Sequence, residues 1–208
     1  MQGTITSGFS RPVTPVTAPS WPSYNPSPSI INATTTLTGG TQSAPARYQF
    51  SSVTVSSGKV LTIAPLVAGE ESYVEIWVTG DFATSGSGYI LEKPGVHVTY
   101  YIAGDVTVSG GSFNNQSNIA ANNIINLINP PVGTSQKVTV SGGGTFIGAI
   151  NAPWADFTIS GSGNLSGAII GKTMNISGGA SVHFDEALAS MAGSGYGYKV
   201  ASWVEAVR

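Results

Sequence analysis

Apolar and small polar residues alternate along the second half of this chain in four copies of one pattern: Val106-Thr107-Val108-Ser109-Gly110, Val138-Thr139-Val140-Ser141-Gly142, Phe157-Thr158-Ile159-Ser160-Gly161 and Met174-Asn175-Ile176-Ser177-Gly178. Each copy sets two apolar residues two positions apart, the period of a half-buried strand, and stops at Ser-Gly, where a chain can turn sharply. A short strand and a corner reused at a period of roughly 20 residues predict stacked turns, a β-solenoid.

The same rhythm starts at Tyr48 and continues through Val53-Thr54-Val55-Ser56, Val60-Leu61-Thr62-Ile63 and Tyr73-Val74-Glu75-Ile76-Trp77-Val78. Gly80-Asp81 before Ser85-Gly86 is matched by Gly104-Asp105 before Ser109-Gly110, at the same spacing. The corner serines are Ser56, Ser85, Ser109, Ser141, Ser160 and Ser177; the interval is longest before Ser141 and shortest before Ser177, so the coil tightens toward its C-terminal end. The long interval reads as two turns run together, with a strand at Ile124, Ile125, Leu127 and Ile128. A short helix over 118–128 is the rival, disfavoured by Asn122, Asn123 and the Pro130-Pro131 stop. Phe146-Ile147-Gly148-Ala149-Ile150 aligns position by position with Leu165-Ser166-Gly167-Ala168-Ile169, at the same interval that separates Ser141 from Ser160. Stacking such turns about 4.8 Å apart pairs their amides and joins their inward side chains into one column. Each buried Val or Ile then contributes about 1.5 to 3 kcal/mol, against about 1 to 2 kcal/mol of backbone entropy per ordered residue.

Three segments follow from the pattern. Residues 1–46 carry one charge, Arg11, and six of the twelve prolines fall between Pro12 and Pro28, which predicts an extended arm or linker. Thr34 to Thr38 could add a first strand. Residues 47–189 form the body. Residues 190–208 form a C-terminal cap or strand, in which Tyr198 to Trp203 alternate and return along the body. A stack of strands has exposed ends that need covering, and His183, Phe184, Asp185 and Leu188, with Trp203, are read as that structural cap.

Composition narrows the function. Only 9% of residues are charged, against roughly 25% in an average soluble domain, so hydroxyls and amides hydrate the surface. A net charge of −2 with 8 Lys and Arg gives no basic footprint for nucleic acid. There is no cysteine, hence no disulfide and no thiol chemistry. No apolar stretch is long enough to span a membrane, and residues 1–20 lack the basic start and apolar core of a signal peptide. The expectation is that Met1 begins a mature or shortened chain from which an export signal or anchor has been removed.

Ala152-Pro153-Trp154-Ala155-Asp156, the strand and corner after it, Gly167-Ala168-Ile169-Ile170-Gly171-Lys172, Ile176-Ser177-Gly178 and His183-Phe184-Asp185-Glu186-Ala187-Leu188 together resemble an uncharacterised bacterial β-solenoid domain. That domain occurs behind a PilX-type, pilin-like helix in type IV pilus assembly proteins and in other exported surface proteins. The resemblance covers roughly residues 48 to 205. It implies an all-β, single-stranded right-handed β-solenoid (β-helix) displayed outside the cytoplasm, and it brings no catalytic residues. Trp154 stands where such domains carry a small or polar residue, and the N-terminal pilin-like helix is missing.

Candidate chemistry is sparse. Gly167 to Thr173 imitates a phosphate loop, but three residues separate its glycines where four are needed, and a strand follows. His183, Asp185 and Glu186 form a titratable trio, read as a cap with His183 bonded to a corner carbonyl in preference to a metal or acid/base site. Glu70, Glu71 and Glu75 read as a solvated loop. No enzyme activity, cofactor or metal is expected. Outward Thr107, Thr139 and Thr158, with their serines, could stack into a hydroxyl ladder similar to the arrays of ice-binding solenoids. Trp21, Tyr24, Trp154 and Tyr196 could stack on sugars or on a neighbouring subunit. The reading is a non-enzymatic, exported cell-surface structural or display module, self-associating or joined to other surface or pilus proteins. A glycan-binding adhesin and an ice-binding solenoid are the alternatives.

Overall fold

A computed structural model describes residues 14–110 and 113–188. Within them the chain forms β1 (Ile30–Ile31), β2 (Thr35–Thr38), β3 (Ala46–Phe50), β4 (Ser52–Ser56), β5 (Val60–Ala64), β6 (Ser72–Val78), β7 (Phe82–Ser85) and β8 (Tyr89–Glu92). There follow β9 (Val96–Ile102), β10 (Val106–Ser109), β11 (Phe113–Asn115), β12 (Asn123–Leu127), β13 (Gln136–Ser141), β14 (Thr145–Ile159), β15 (Asn164–Ile176) and β16 (Ser181–Phe184). The fold is all-β, and each strand ladder among these elements is parallel. Where a helix competed with a strand, the strand is found at β12, entered through a single 3-10 turn over Ala120–Asn122.

The single-stranded right-handed β-solenoid is corrected by the pairing. A 12-stranded sheet runs β1-β4-β7-β10-β13-β14-β12-β9-β6-β3, with β15 and β16 added beyond β14, and a separate 4-stranded sheet runs β11-β8-β5-β2. The physical cause is β14. Its 15 residues pair first with β12 at Ala149 to Asn151 and then with β13 at Ala155 to Ile159, so one uninterrupted strand fuses two strips into a single sheet. The large sheet thereby wraps into a nearly closed barrel, and the small sheet is its second wall.

The four repeated tetrads stand in register: Val106 pairs with Val138, Val138 with Phe157, and Phe157 with Met174. The long interval between corner serines is one turn and not two, since Ser109 pairs directly with Ser141. Its extra length lies in the segments 116–122 and 128–135, which join β11 to β12 and β12 to β13. At the corners Gly86, Gly110, Gly142, Gly161 and Gly178 have φ between 58° and 74°, the left-handed region, and a Cβ on Gly110 would lie 2.7 Å from the Gly86 carbonyl oxygen. Ser57, at φ 52°, occupies the equivalent place at the first corner.

Inward positions make one apolar core from Ile31 to Leu165. An aromatic stack fills its middle: Phe82 and Phe113 lie 5.4 Å apart, Tyr100 and Phe113 5.8 Å, and Phe113 and Phe146 5.2 Å. The C-terminal layer differs, because its inward positions Met174, Ile176 and Phe184 are 45%, 47% and 55% exposed. Trp203 and the rest of the expected 190–208 cap, together with Tyr196, lie outside the described residues.

Candidate functional site

Alternation along β3, β6, β9, β12 and β14 puts Gln49, Trp77, Tyr101, Asn126 and Asn151 on the outer face. Register sets them side by side in one row. The N-terminal segment crosses this row. Trp21 meets Tyr24 at 5.7 Å, Tyr101 at 6.0 Å and Trp77 at 6.4 Å, each edge to face, and the Arg47 guanidinium sits 5.5 Å from its ring. Arg47 is held in turn by Glu75 at 2.8 Å. Further anchors are the Asn25 N–H to the Arg47 carbonyl at 2.7 Å and a reciprocal pair between Val16 and Asn129. The described part of the extended arm, from Thr14, is therefore laid against the sheet.

Between these anchors lies a cavity of about 370 Å³, bounded by residues 14–20 of the arm and by Trp21, Tyr101, Asn126 and Asn151. Its described lining side chains are uncharged. The Asn151 amide donates one N–H to the Asn126 Oδ1 at 3.2 Å, which leaves its second N–H and its Oδ1, together with the Asn126 amide group.

A second polar feature is buried. Glu92 continues the inward parity of Ile90 on β8 and stands between Ile63 and Asn115 in the small sheet. Its Oε1 accepts a 2.9 Å hydrogen bond from the Tyr100 hydroxyl, while Oε2 is buried without a partner. Burial pushes the carboxyl up to about 8, against a smaller downward pull from Tyr100. Burial, and then the Glu92 charge and hydrogen bond, push the Tyr100 hydroxyl up as well. Glu92 is thus a neutral acid at pH 7, enclosed by core and away from the groove.

The other expected residues scatter. Trp21 and Tyr24 join the groove cluster, whereas Trp154 is 44% exposed where β14 crosses from β12 to β13. Thr107, Thr139 and Thr158 do form one row, extended by Asn175 and Thr54 but broken by Ala83. A charged row, Asp105, Lys137 and Asp156, runs directly beside it. Uneven turn lengths do not disturb this face, because the extra residues lie in loops. His183 is exposed on β16, while Asp185 accepts from the Ala187 N–H at 3.0 Å and shapes the final turn, with Leu188 closing on the Asp185 carbonyl. Glu70 and Glu71 lie in a loop, but Glu75 is a strand residue paired to Arg47. Gly167 to Thr173 lies within β15, which ends the phosphate-loop comparison.

Sequence reasoning passed over Trp77, Tyr101, Asn126, Asn151, Glu92 and Tyr100. A signal existed for Trp77 and Tyr101, which are separated by the same interval as the two matched Gly-Asp corners at Gly80 and Gly104.

Among the described residues no three metal-ligating side chains converge. The described lining of the groove consists of an indole, a phenol, two carboxamides, three hydroxyl side chains, and the small apolar residues of the arm. In class this is an all-β domain of parallel sheets with an arm-covered polar groove on one face. The chain belongs to the family described as "Domain of unknown function (DUF7305)", whose model matches residues 25–191. No curated protein and no solved structure matches it.

Proposed function

We propose that this chain is a non-enzymatic structural or display module of the bacterial cell surface, carried outside the cytoplasm and able to associate with copies of itself or with pilus proteins. The observation that carries the reading is the ladder that runs without a break from β1 to β16 around an apolar core. Strands paired on both sides cannot slide without losing a full row of amides, so such a body holds its shape under load. One row of its outer face, Thr54, Thr107, Thr139, Thr158 and Asn175, is built from short hydroxyl and amide side chains. The resemblance to domains of exported and pilus-assembly proteins supports the location. Self-association is supported by the last layer, where Met174, Ile176 and Phe184 present apolar surface beside the edge of β16.

Sedimentation velocity over a concentration series, on the full chain and on its Ile176→Asp variant, tests this. The expected result is concentration-dependent association that Ile176→Asp weakens. A monomer at every concentration in both forms would remove self-assembly from the proposal.

A further inference from the structure

We propose that residues 189–195 form one more parallel rung on the free edge of β15, so that the open last layer is the seat of the chain's own C-terminal segment. The pairing defines the edge. β16 covers only Asn164 to Gly167 of β15, and the rest of that strand, to Ile176, has no partner on the same side among the described residues. The Ser177 N–H donates to the Ile159 carbonyl, toward β14. Backbone groups alternate in direction along a strand, so those of Met174 and Ile176 point the other way, into the open edge. Their side chains continue the inward columns of Phe157 and Ile159 and are about half exposed. An edge that leaves both amides and apolar side chains uncovered is a template for a further strand.

The sequence beyond Leu188 repeats the pattern of the earlier rungs. β15 and β16 are offset by 17 residues, the separation of Ser181 from Asn164, whose side chains hydrogen-bond at 3.1 Å. Carried forward by that offset, Met174-Asn175-Ile176-Ser177-Gly178 aligns with Met191-Ala192-Gly193-Ser194-Gly195. Leu188, the last described residue, aligns with Gly171, so the segment begins beside the exposed stretch 171–176. Glycine at the corner is the selective feature. Corner glycines lie on one another: a Cβ on Gly161 would meet Gly142 at 3.1 Å, and one on Gly178 would meet Gly161 at 3.0 Å. A further rung in this register needs glycine over Gly178, and Gly195 supplies it. Tyr196, Tyr198 and Val200, at alternate positions, follow as apolar cover for Val182 and Phe184. The opposite end is already closed. Ile31, Leu37, Tyr48 and Phe50 of its outermost layer are buried, and the Tyr48 hydroxyl donates to the Thr38 carbonyl at 2.8 Å. A head-to-tail copy would therefore meet an open layer at one end only. Copies that associate through Met174, Ile176 and Phe184 must displace this segment, so it regulates that surface; this consequence rests on the self-association reading, whereas the rung does not. Held on one side only, the rung opens locally before the body unfolds.

The chain has no cysteine, so one disulfide tests the register in the full chain. Residues 175 and 192 fall on the outer face of neighbouring rungs, with Cα atoms about 4.8 Å apart, within the span of about 4.4 to 6.8 Å that a disulfide bridges. On mild oxidation, Asn175→Cys with Ala192→Cys should close within one chain at least about tenfold faster than Asn175→Cys with Gly193→Cys, whose side chain a one-residue step turns to the opposite face. Mass spectrometry under non-reducing conditions reads the closure. In the unsubstituted chain, the Met174 and Ile176 amides should exchange with deuterium at least about tenfold more slowly than unstructured amides. Equal closure of the two pairs, disulfides between chains, or exchange of both amides at the unstructured rate would overturn the inference. Closure in a chain that stays monomeric at every concentration would remove self-association and leave the rung standing; association without closure would do the reverse.

Discussion

The early layers and the last two solve the same closure problem differently. From β2 to β11 each layer is made of separate short strands, and the crossing from the small sheet to the large one passes through a loop: 65–71 between β5 and β6, 93–95 between β8 and β9, 116–122 between β11 and β12. In β14 and β15 those loops are gone. One strand of 15 residues and one of 13 run around the corners, and Gly148 and Gly167 pair at the bend. Gly167 has φ 148°, and a Cβ there would lie 1.7 Å from the Gly148 carbonyl oxygen, so the backbone itself occupies the space a side chain would need. The early layers, covered on both sides, bury an aromatic stack and a neutral acid. The last layer leaves its apolar positions half uncovered. The shorter turns that follow Ser141 therefore come from removing loops, and the inward columns stay in place.

The largest expected effect on this contrast comes from Glu92. Unfolded, its carboxyl titrates at 4.5; folded, it titrates at about 8. The native state then holds the extra proton between those values, so stability is fully present below pH 4.5 and is lost as pH rises through about 8, a change on the order of 5 kcal/mol. Urea unfolding at a series of pH values should show that loss in the wild type, and Glu92→Gln, which keeps an acceptor for Tyr100, should abolish it. An equal slope in both proteins would refute the buried neutral acid.

Next, Phe113→Ala removes a ring at the centre of the early stack and should lower the unfolding free energy by about 3 to 5 kcal/mol. Met174→Ala, in the uncovered layer, should lower it by about 1 kcal/mol or less. Similar losses at both sites would erase the distinction between the two regions. The smallest contrast between paired variants concerns the bend. Gly167→Ala should cost about 1 to 3 kcal/mol through overpacking against Gly148. Gly143→Ala, whose nearest neighbour is Ser162 Oγ at 4.0 Å, should leave the melting temperature unchanged. Equal behaviour of the two variants would mean that the close approach at Gly148 carries no constraint.

Much of this was legible beforehand. Alternation placed β4, β6, β10, β13 and the second strand shared by β14 and β15, and the Ser-Gly steps located the corners, because both signals are local to a few residues. Expectations failed where two distant segments had to be joined. The single-stranded solenoid was the wrong expectation because nothing within Thr145 to Ile159 announces that one strand will pair with β12 at its middle and β13 at its end. The groove was half visible: Trp21 and Tyr24 stood out as exposed aromatics, whereas Asn126 and Asn151 were lost among the many asparagines. Glu92 was hidden by its charge, although the parity of Ile90 pointed it inward.

The sequence by itself determined an all-β chain with inward Val, Ile and Phe columns and glycine corners, since side-chain parity and left-handed turns depend only on neighbouring residues. The tertiary structure decided how those strands joined into a nearly closed large sheet with a second wall, where the arm came to rest, and which polar groups met at the groove. Register between strands a full turn apart in the chain is settled only when the ladders form, because each pairing is a choice among many compatible edges.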